Sequence, residues 1–238
     1  MSFTNRRVRI RDVRPRVDDG RFPATASVGE PVTVAADVFA DSHDVVSAEV
    51  AWRAVSAADE WHEVPMEPLG NDRWTAAFEV DAPGPLEFRV IGWIDRPATW
   101  LRDLRARVEG DVLTEIDLAV GSRLATELAA SAAGADQDEL TEVATVLADT
   151  DRTLRSRADA AMTDRVADVL ADADPRRFAT GTDPFPVRVD RARARFSSWY
   201  ELFPRSAAPE PGRHGTFDDV IARLPYVRDM GFDVLYLP

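Results

Sequence analysis

The 238-residue chain contains no cysteine and no lysine. Without cysteine there are no disulfides, no thiolate metal sites and no cysteine nucleophile. The lack of a disulfide framework fits a reducing compartment, so a cytoplasmic location is expected. All 29 basic residues are arginine, which removes any lysine Schiff base or lysine phosphate anchor. Those arginines are scattered along the chain. They read as compositional bias rather than as a nest of guanidinium forks for phosphate. Long apolar runs are missing as well. After Met1–Arg7, Val8 and Ile10 alternate with arginines, so no secretory h-region is present. Nor does any stretch approach the ~20 apolar residues of a membrane span. The formal net charge of -13 argues against nucleic acid or an anionic membrane as the partner.

Catalytic signatures are equally sparse. His43, His62 and His214 are isolated in sequence and form no local metal-ligand spacing. No glycine-rich loop of the Walker or dinucleotide type occurs. Ser197-Ser198 lacks the glycine-flanked elbow of a hydrolase nucleophile. No cofactor or metal site is therefore expected, and no catalytic residue is assigned within the chain.

What is present divides into three textures. From Arg7 to about Glu109, short runs alternate apolar and polar residues: Val8, Ile10 and Val13; Val32 to Val38; Ala48–Val55; Trp61–Val64; Arg73–Val80; Leu86–Trp93; and a last one at Leu101–Val108. Gly29-Glu30-Pro31, Gly70-Asn71-Asp72 and Pro83-Gly84-Pro85 supply turns between them. Period-two strands with regular turns predict an antiparallel immunoglobulin-like β-sandwich over residues 1–110, without the immunoglobulin cysteine pair.

The second texture, residues 111–186, is acidic and rich in alanine. Val112, Ile116, Val120, Leu124 and Leu128 fall four apart, which predicts a helix along one slowly drifting face. Asp138 is placed as the cap of a second helix holding Leu140, Val143, Ala144 and Leu147. A third runs through Val166, Val169 and Leu170 and stops before Pro175. This small all-α insert needs something to pack on, because short helices are marginal alone. Residues Asp172 to Pro186, with Pro175, Gly181, Pro184 and Pro186, read as a connector.

The third texture covers 187–238. Val187, Val189 and Phe196 lead into Trp199-Tyr200-Glu201-Leu202-Phe203-Pro204-Arg205-Ser206, then Gly215-Thr216-Phe217, then Gly231-Phe232-Asp233-Val234-Leu235-Tyr236-Leu237-Pro238. Two buried strands around a helix predict a parallel βαβ unit. Thr216 and Asp219 form a variant capping box, and Val220, Ile221, Leu224, Val227 and Met230 form the helix's apolar face despite Pro225. One βαβ unit cannot close a sheet, so the parent protein is expected to continue past Pro238. Trp52, Trp61, Trp74, Trp93 and Trp100 all fall in the strand-rich part. Strand tryptophans fill cores or, when exposed, stack on sugar rings; Trp93 and Trp100 are placed where another domain would meet them.

The Trp199–Ser206, Gly215–Phe217 and Gly231–Pro238 segments resemble the opening of the (β/α)8 barrel of the α-amylase family. Taken with the sandwich, the Glu109-Gly110-Asp111 junction into acidic helices, and Val189-Asp190-Arg191 before Ala194–Tyr200, the whole chain resembles the N-terminal portion of the maltose-1-phosphate maltosyltransferases within it. The resemblance implies a retaining transferase that passes maltosyl units from α-maltose 1-phosphate to the non-reducing end of α-1,4-glucans and releases phosphate. Two carboxylates would work by double displacement through a covalent glycosyl-enzyme. It also implies that nucleophile and acid/base lie beyond Pro238, so this chain alone is expected to be inactive. Arg205 and Ser206 would fix a loop at the active-site face, and the sandwich and helical insert would contribute to a homodimer. The alternatives are a branching or trehalose-forming relative, or a carbohydrate-binding or dimerisation module.

Overall fold

The computed structural model describes residues 7–57, 60–176 and 179–238. The N-terminal residues read for a secretory signal, Met1 to Arg6, lie outside the described residues. Eight strands come first: β1 (Val8–Arg14), β2 (Ala24–Ser27), β3 (Val32–Ala40), β4 (Val46–Ala54), β5 (His62–Pro65), β6 (Glu67–Gly70), β7 (Arg73–Phe78) and β8 (Gly84–Ile94). Five helices follow: α1 (Arg96–Glu109), α2 (Glu115–Ala129), α3 (Gly134–Ala148), α4 (Leu154–Ala161) and α5 (Asp164–Ala173). The chain then returns through β9 (Thr180–Gly181) and β10 (Phe185–Asp190). It ends in β11 (Trp199–Glu201), α6 (Phe217–Asp229) and β12 (Val234–Tyr236).

Two sheets share one core. One has the order β1-β3-β7-β6; the other runs β2-β10-β8-β4-β5, with β9 also paired to β8. Period-two alternation selects which side chains enter the core, since successive residues of a strand face opposite ways. Val32, Val34, Ala36 and Val38 come from the first sheet, and Val50, Leu86, Phe88 and Val90 from the second. The β6–β7 hairpin turns at Asn71 and Asp72, both at positive φ (49 and 62). Two positive-φ residues give a turn whose twist matches the flanking strands, and Asn and Asp tolerate it best after glycine.

Three expectations change here. Leu101–Val108 is helical and belongs to α1. Leu101, Leu104 and Val108 are spaced three and four apart, which is a helical period. The Asp95 side chain accepts the Ala98 N–H at 2.8 Å, and Pro97 sits in the first turn, where its missing N–H costs nothing. Second, Val187 and Val189 do not open a terminal unit. As part of β10 they run parallel to β2 and antiparallel to β8, and they are buried in the shared core. The five helices are thus inserted between paired strands of one sheet.

Third, the four-apart run in α2 does not form one buried face. Each four-residue step advances about 40° beyond a full turn, so the stripe winds around the helix. Leu124 and Leu128 are buried, while Val120 and Ile116 face outward. The stripe that packs is Leu118, Gly121, Leu124, Ala125 and Leu128. Asp138 lies inside α3, which begins at Gly134. Leu140, Val143, Ala144 and Leu147 are buried as expected, as are Val166, Val169 and Leu170 of α5. The short α4 packs a narrow stripe of Leu154, Ala158 and Ala161 on the same core. Its Arg157 is buried, donates to the Leu147 carbonyl at the end of α3, and pairs with Glu115 at 2.9 Å.

β11 and β12 form a separate two-stranded parallel sheet, with Tyr200 opposite Leu235 and α6 as the crossover. Only Val220 and Val227 of α6 are buried; Ile221, Leu224 and Met230 of the expected apolar face are exposed. Among the described residues no helix is long and apolar enough to cross a membrane.

Candidate functional site

The loop between β11 and α6 holds several of the residues singled out from sequence, among them Arg205, Ser206, His214, Gly215 and Thr216. Gly215 donates its N–H to the Arg205 carbonyl at 2.9 Å. A Cβ at Gly215 would stand 2.2 Å from the Pro204 carbonyl oxygen and under 3 Å from two further backbone nitrogens. Only glycine fits that crossing. Thr216 then caps α6: its N–H and hydroxyl both donate to the Asp219 carboxylate, at 2.8 and 3.0 Å. Arg213 closes the loop with two bonds to the same carboxylate, at 3.0 and 2.7 Å, and a third to Glu210 at 2.8 Å. The Arg213 guanidinium, with help from Thr216, holds the Asp219 carboxyl at about 2. Asp219 therefore stays ionised throughout the neutral range and serves the loop. Arg205, Ser206 and His214 are exposed on its outside.

The other candidates are dispersed. His43 lies in the loop between β3 and β4, and its carbonyl accepts from Arg102 at 2.6 Å; His62 rests against Trp52, with ring centres 4.6 Å apart. No group of three or more histidine, aspartate or glutamate side chains poised for a metal is found among the described residues. Ser198 Oγ donates to the Gly231 carbonyl at 3.0 Å and Ser197 Oγ accepts from Trp199 Nε1 at 2.8 Å, so both hydroxyls brace β11.

Of the tryptophans, Trp52 stacks on Phe78 with centres 4.7 Å apart, and Trp74 Nε1 donates to the Val38 carbonyl. Trp61 has the guanidinium carbons of Arg53 and Arg89 over its ring, at 4.3 and 4.2 Å. Trp93 and Trp100 are buried and present no free ring to a sugar. Trp100 lies against Gly121, where an added Cβ would come within 2.0 Å of the indole, and its Nε1 donates to the Asp117 carbonyl. Trp100 thus packs within the chain's own helical block, and Trp93 lies under the guanidinium of Arg176, beyond α5.

A polar cluster that sequence reading missed sits where the helices leave the six-stranded sheet. Glu49, on the outer face of β4, is only 3% exposed. It pairs with Arg176 at 2.5 Å, while Arg176 lies 4.4 Å over Trp93 and reaches Glu63 at 3.7 Å. Burial pushes the Glu49 carboxyl up, against the pull of Arg176. Asp174 is buried nearby and raised for the same reason, against the pull of the Arg176 backbone N–H. A buried charge is costly unless paired and hydrogen-bonded. No local spacing could reveal this cluster, since Glu49 and Arg176 lie 127 residues apart.

Against this geometry, the sequence matches a family model described as Alpha-1,4-glucan:maltose-1-phosphate maltosyltransferase, domain N/S, over residues 6–191. Curated relatives bearing that enzyme name include one from Chlorobaculum tepidum, 39% identical over 98% of this chain and 34% of its own length. One from Burkholderia pseudomallei is 41% identical over 100% of this chain and 21% of its own. One from Pseudomonas aeruginosa is 40% identical over 98% and 35%. The chain spans about a third or less of the length of these relatives. The match selects this group over the branching and trehalose-forming enzymes. The chain belongs to the alpha-1,4-glucan:maltose-1-phosphate maltosyltransferase family, through its N/S domain.

Proposed function

We propose that this chain is the scaffold part of a retaining maltosyltransferase that moves maltosyl units from α-maltose 1-phosphate to the non-reducing end of an α-1,4-glucan, releasing phosphate. The observation that carries the reading is the family match over residues 6–191, followed by a parallel strand–helix–strand unit. In this reading the two sheets are an immunoglobulin-like sandwich and the five helices are an insert in it. Residues 199–236 then form the first βαβ unit of a (β/α)8 barrel. Three units thus replace a simple serial order, the first two interleaved in sequence.

Barrel chemistry gathers at the C-terminal ends of the strands. In this chain that end of β11 is the loop clasped by Arg213 and Asp219. Its carboxylate is already committed to Arg213 and Thr216, and the Asp233 carboxylate accepts from Ser198. Neither is free to attack an anomeric carbon or protonate a leaving group. In this reading, as the family resemblance implies, the nucleophile and the acid/base belong to other barrel strands, and Arg205 and Ser206 shape the first loop. The exposed Ile116 and Val120 of α2 suit the contact of a homodimer. A cytoplasmic setting accords with a phosphorylated sugar donor.

The test is phosphate release from α-maltose 1-phosphate in the presence of glycogen. The expected result is no turnover by this chain, and turnover by a protein that joins it to the remaining barrel strands. Turnover by the 238 residues alone would overturn the assignment.

A further inference from the structure

We propose that the Asp174 carboxyl group makes the joint between the helical block and the six-stranded sheet sensitive to protons, holding it tighter when protonated than when ionised. Asp174 follows the last turn of α5 and is 7% exposed. Its Oδ1 accepts the Arg176 N–H at 3.2 Å, whereas Oδ2 is buried with no partner among the described residues. A carboxylate there also faces the negative end of a helix, where anions are disfavoured.

The charged groups around it relieve this only in part: Arg96 and Arg176 draw the carboxyl down, but less than burial raises it. Arg96, at the start of α1, is held by Glu127 through two bonds of 3.1 and 2.8 Å. The Arg176 guanidinium is held by Glu49, with Glu63 at 3.7 Å, and Arg89 adds a further positive charge near Glu49 rather than near Asp174. Asp95 adds a like charge to Asp174; its own carboxylate accepts from Ser47 and from the Ala98 N–H. Among the described residues, both cations near Asp174 are thus committed to other carboxylates. Adding a proton removes the uncompensated charge and leaves the bond from Arg176 N–H to Oδ1 in place.

The direction follows from linkage. Burial raises the Asp174 carboxyl above its ordinary range in the fold. The folded joint therefore binds the proton more tightly than the open one. Its stability is greatest at low pH and declines as pH rises from roughly 4, the ordinary carboxylate value, through the folded value.

The test compares the full chain with Asp174→Asn, a neutral isostere, by hydrogen-exchange protection of the α5 C-terminal turn and by Tm, at pH 5 and pH 8. In the unaltered chain, protection and Tm are expected to fall between the two conditions, protection by severalfold. Asp174→Asn is expected to keep high protection at both, with a Tm at pH 8 above that of the unaltered chain. An unchanged pH response in Asp174→Asn, or a lower Tm at pH 8, overturns the proposal. Glu49→Gln separates the two buried acids. It should leave the α5 response in place, and loss of the response in this variant alone would assign it to Glu49 and overturn the proposal as well.

Discussion

The described part of residues 7–190 buries most of its large apolar side chains, with Phe88, Leu104, Leu118, Leu140, Leu147 and Leu170 closed off from solvent. Residues 199–236 use the same local devices and bury few: Trp199 is 60% exposed, Phe217 67% and Ile221 60%. The difference lies in the available partner surfaces, not in the quality of the local signals. The capping box of α6 is as well made as that of α2, where the Thr114 N–H and hydroxyl both donate to Asp117. Parallel strands need cover on both faces, and a two-stranded pair with one helix supplies little. Leu202, Ala207 and Val220 make a small cluster there, whereas the open groove beside α6, about 730 Å³, is lined by Ile221, Leu224 and Leu235. Capping and periodicity form elements; a core requires a second layer.

The contrast is broken most easily by a matched pair of truncations. Leu118→Ala should cost about 2–5 kcal/mol in chemical denaturation, through lost burial and the hole left behind. Ile221→Ala should stay within about 0.5 kcal/mol, because its side chain is already in water. Comparable losses at both sites would show that the terminal unit is packed as tightly as the rest. Gly121→Ala drives a methyl into the Trp100 indole. A destabilisation of about 1–3 kcal/mol, typical of overpacking, is expected in thermal melts. A neutral effect would mean that α1 can slide on α2.

The smallest expected effect concerns pH. Asp219, held at about 2, supports the first turn of α6 above the unfolded value of roughly 3.9 and loses that contribution as pH falls toward 2. Amide exchange at that turn should therefore accelerate in acid, opposite in sign to the Asp174 joint. Asp219→Asn should show the looser turn already at neutral pH, with no further acid response. Identical acid profiles for the two regions would contradict both assignments of charge.

Much of this organisation is legible in the order of residues. Alternation marked Val32–Val38 and Leu86–Val90 as strands, and Thr216 with Asp219 marked the start of α6, because these signals act over a few neighbours. Leu101–Val108 misled because its second half, Arg105-Ala106-Arg107-Val108, alternates like a strand edge, while the decisive signals, Asp95 and Pro97, lie just upstream. Ile116 and Val120 misled because spacing alone cannot say which side of a drifting stripe meets a partner. The return of Val187 and Val189 to the first core, and the meeting of Glu49 with Arg176, depend on how distant segments are brought together. Neither leaves a local trace.

The central claim is that the sheets and the helical block stand as one self-sufficient unit, while residues 199–236 add surface without adding to its cores. The only ion pair among the described residues that ties residues beyond Arg191 to the sheet region is Arg195 with Glu30, at 2.7 Å. Urea denaturation of a chain ending at Arg191 tests this most directly. The account predicts a single cooperative transition with a midpoint close to that of the 238-residue chain and native helix content retained. A truncated chain that unfolds, or that melts without cooperativity, would contradict it.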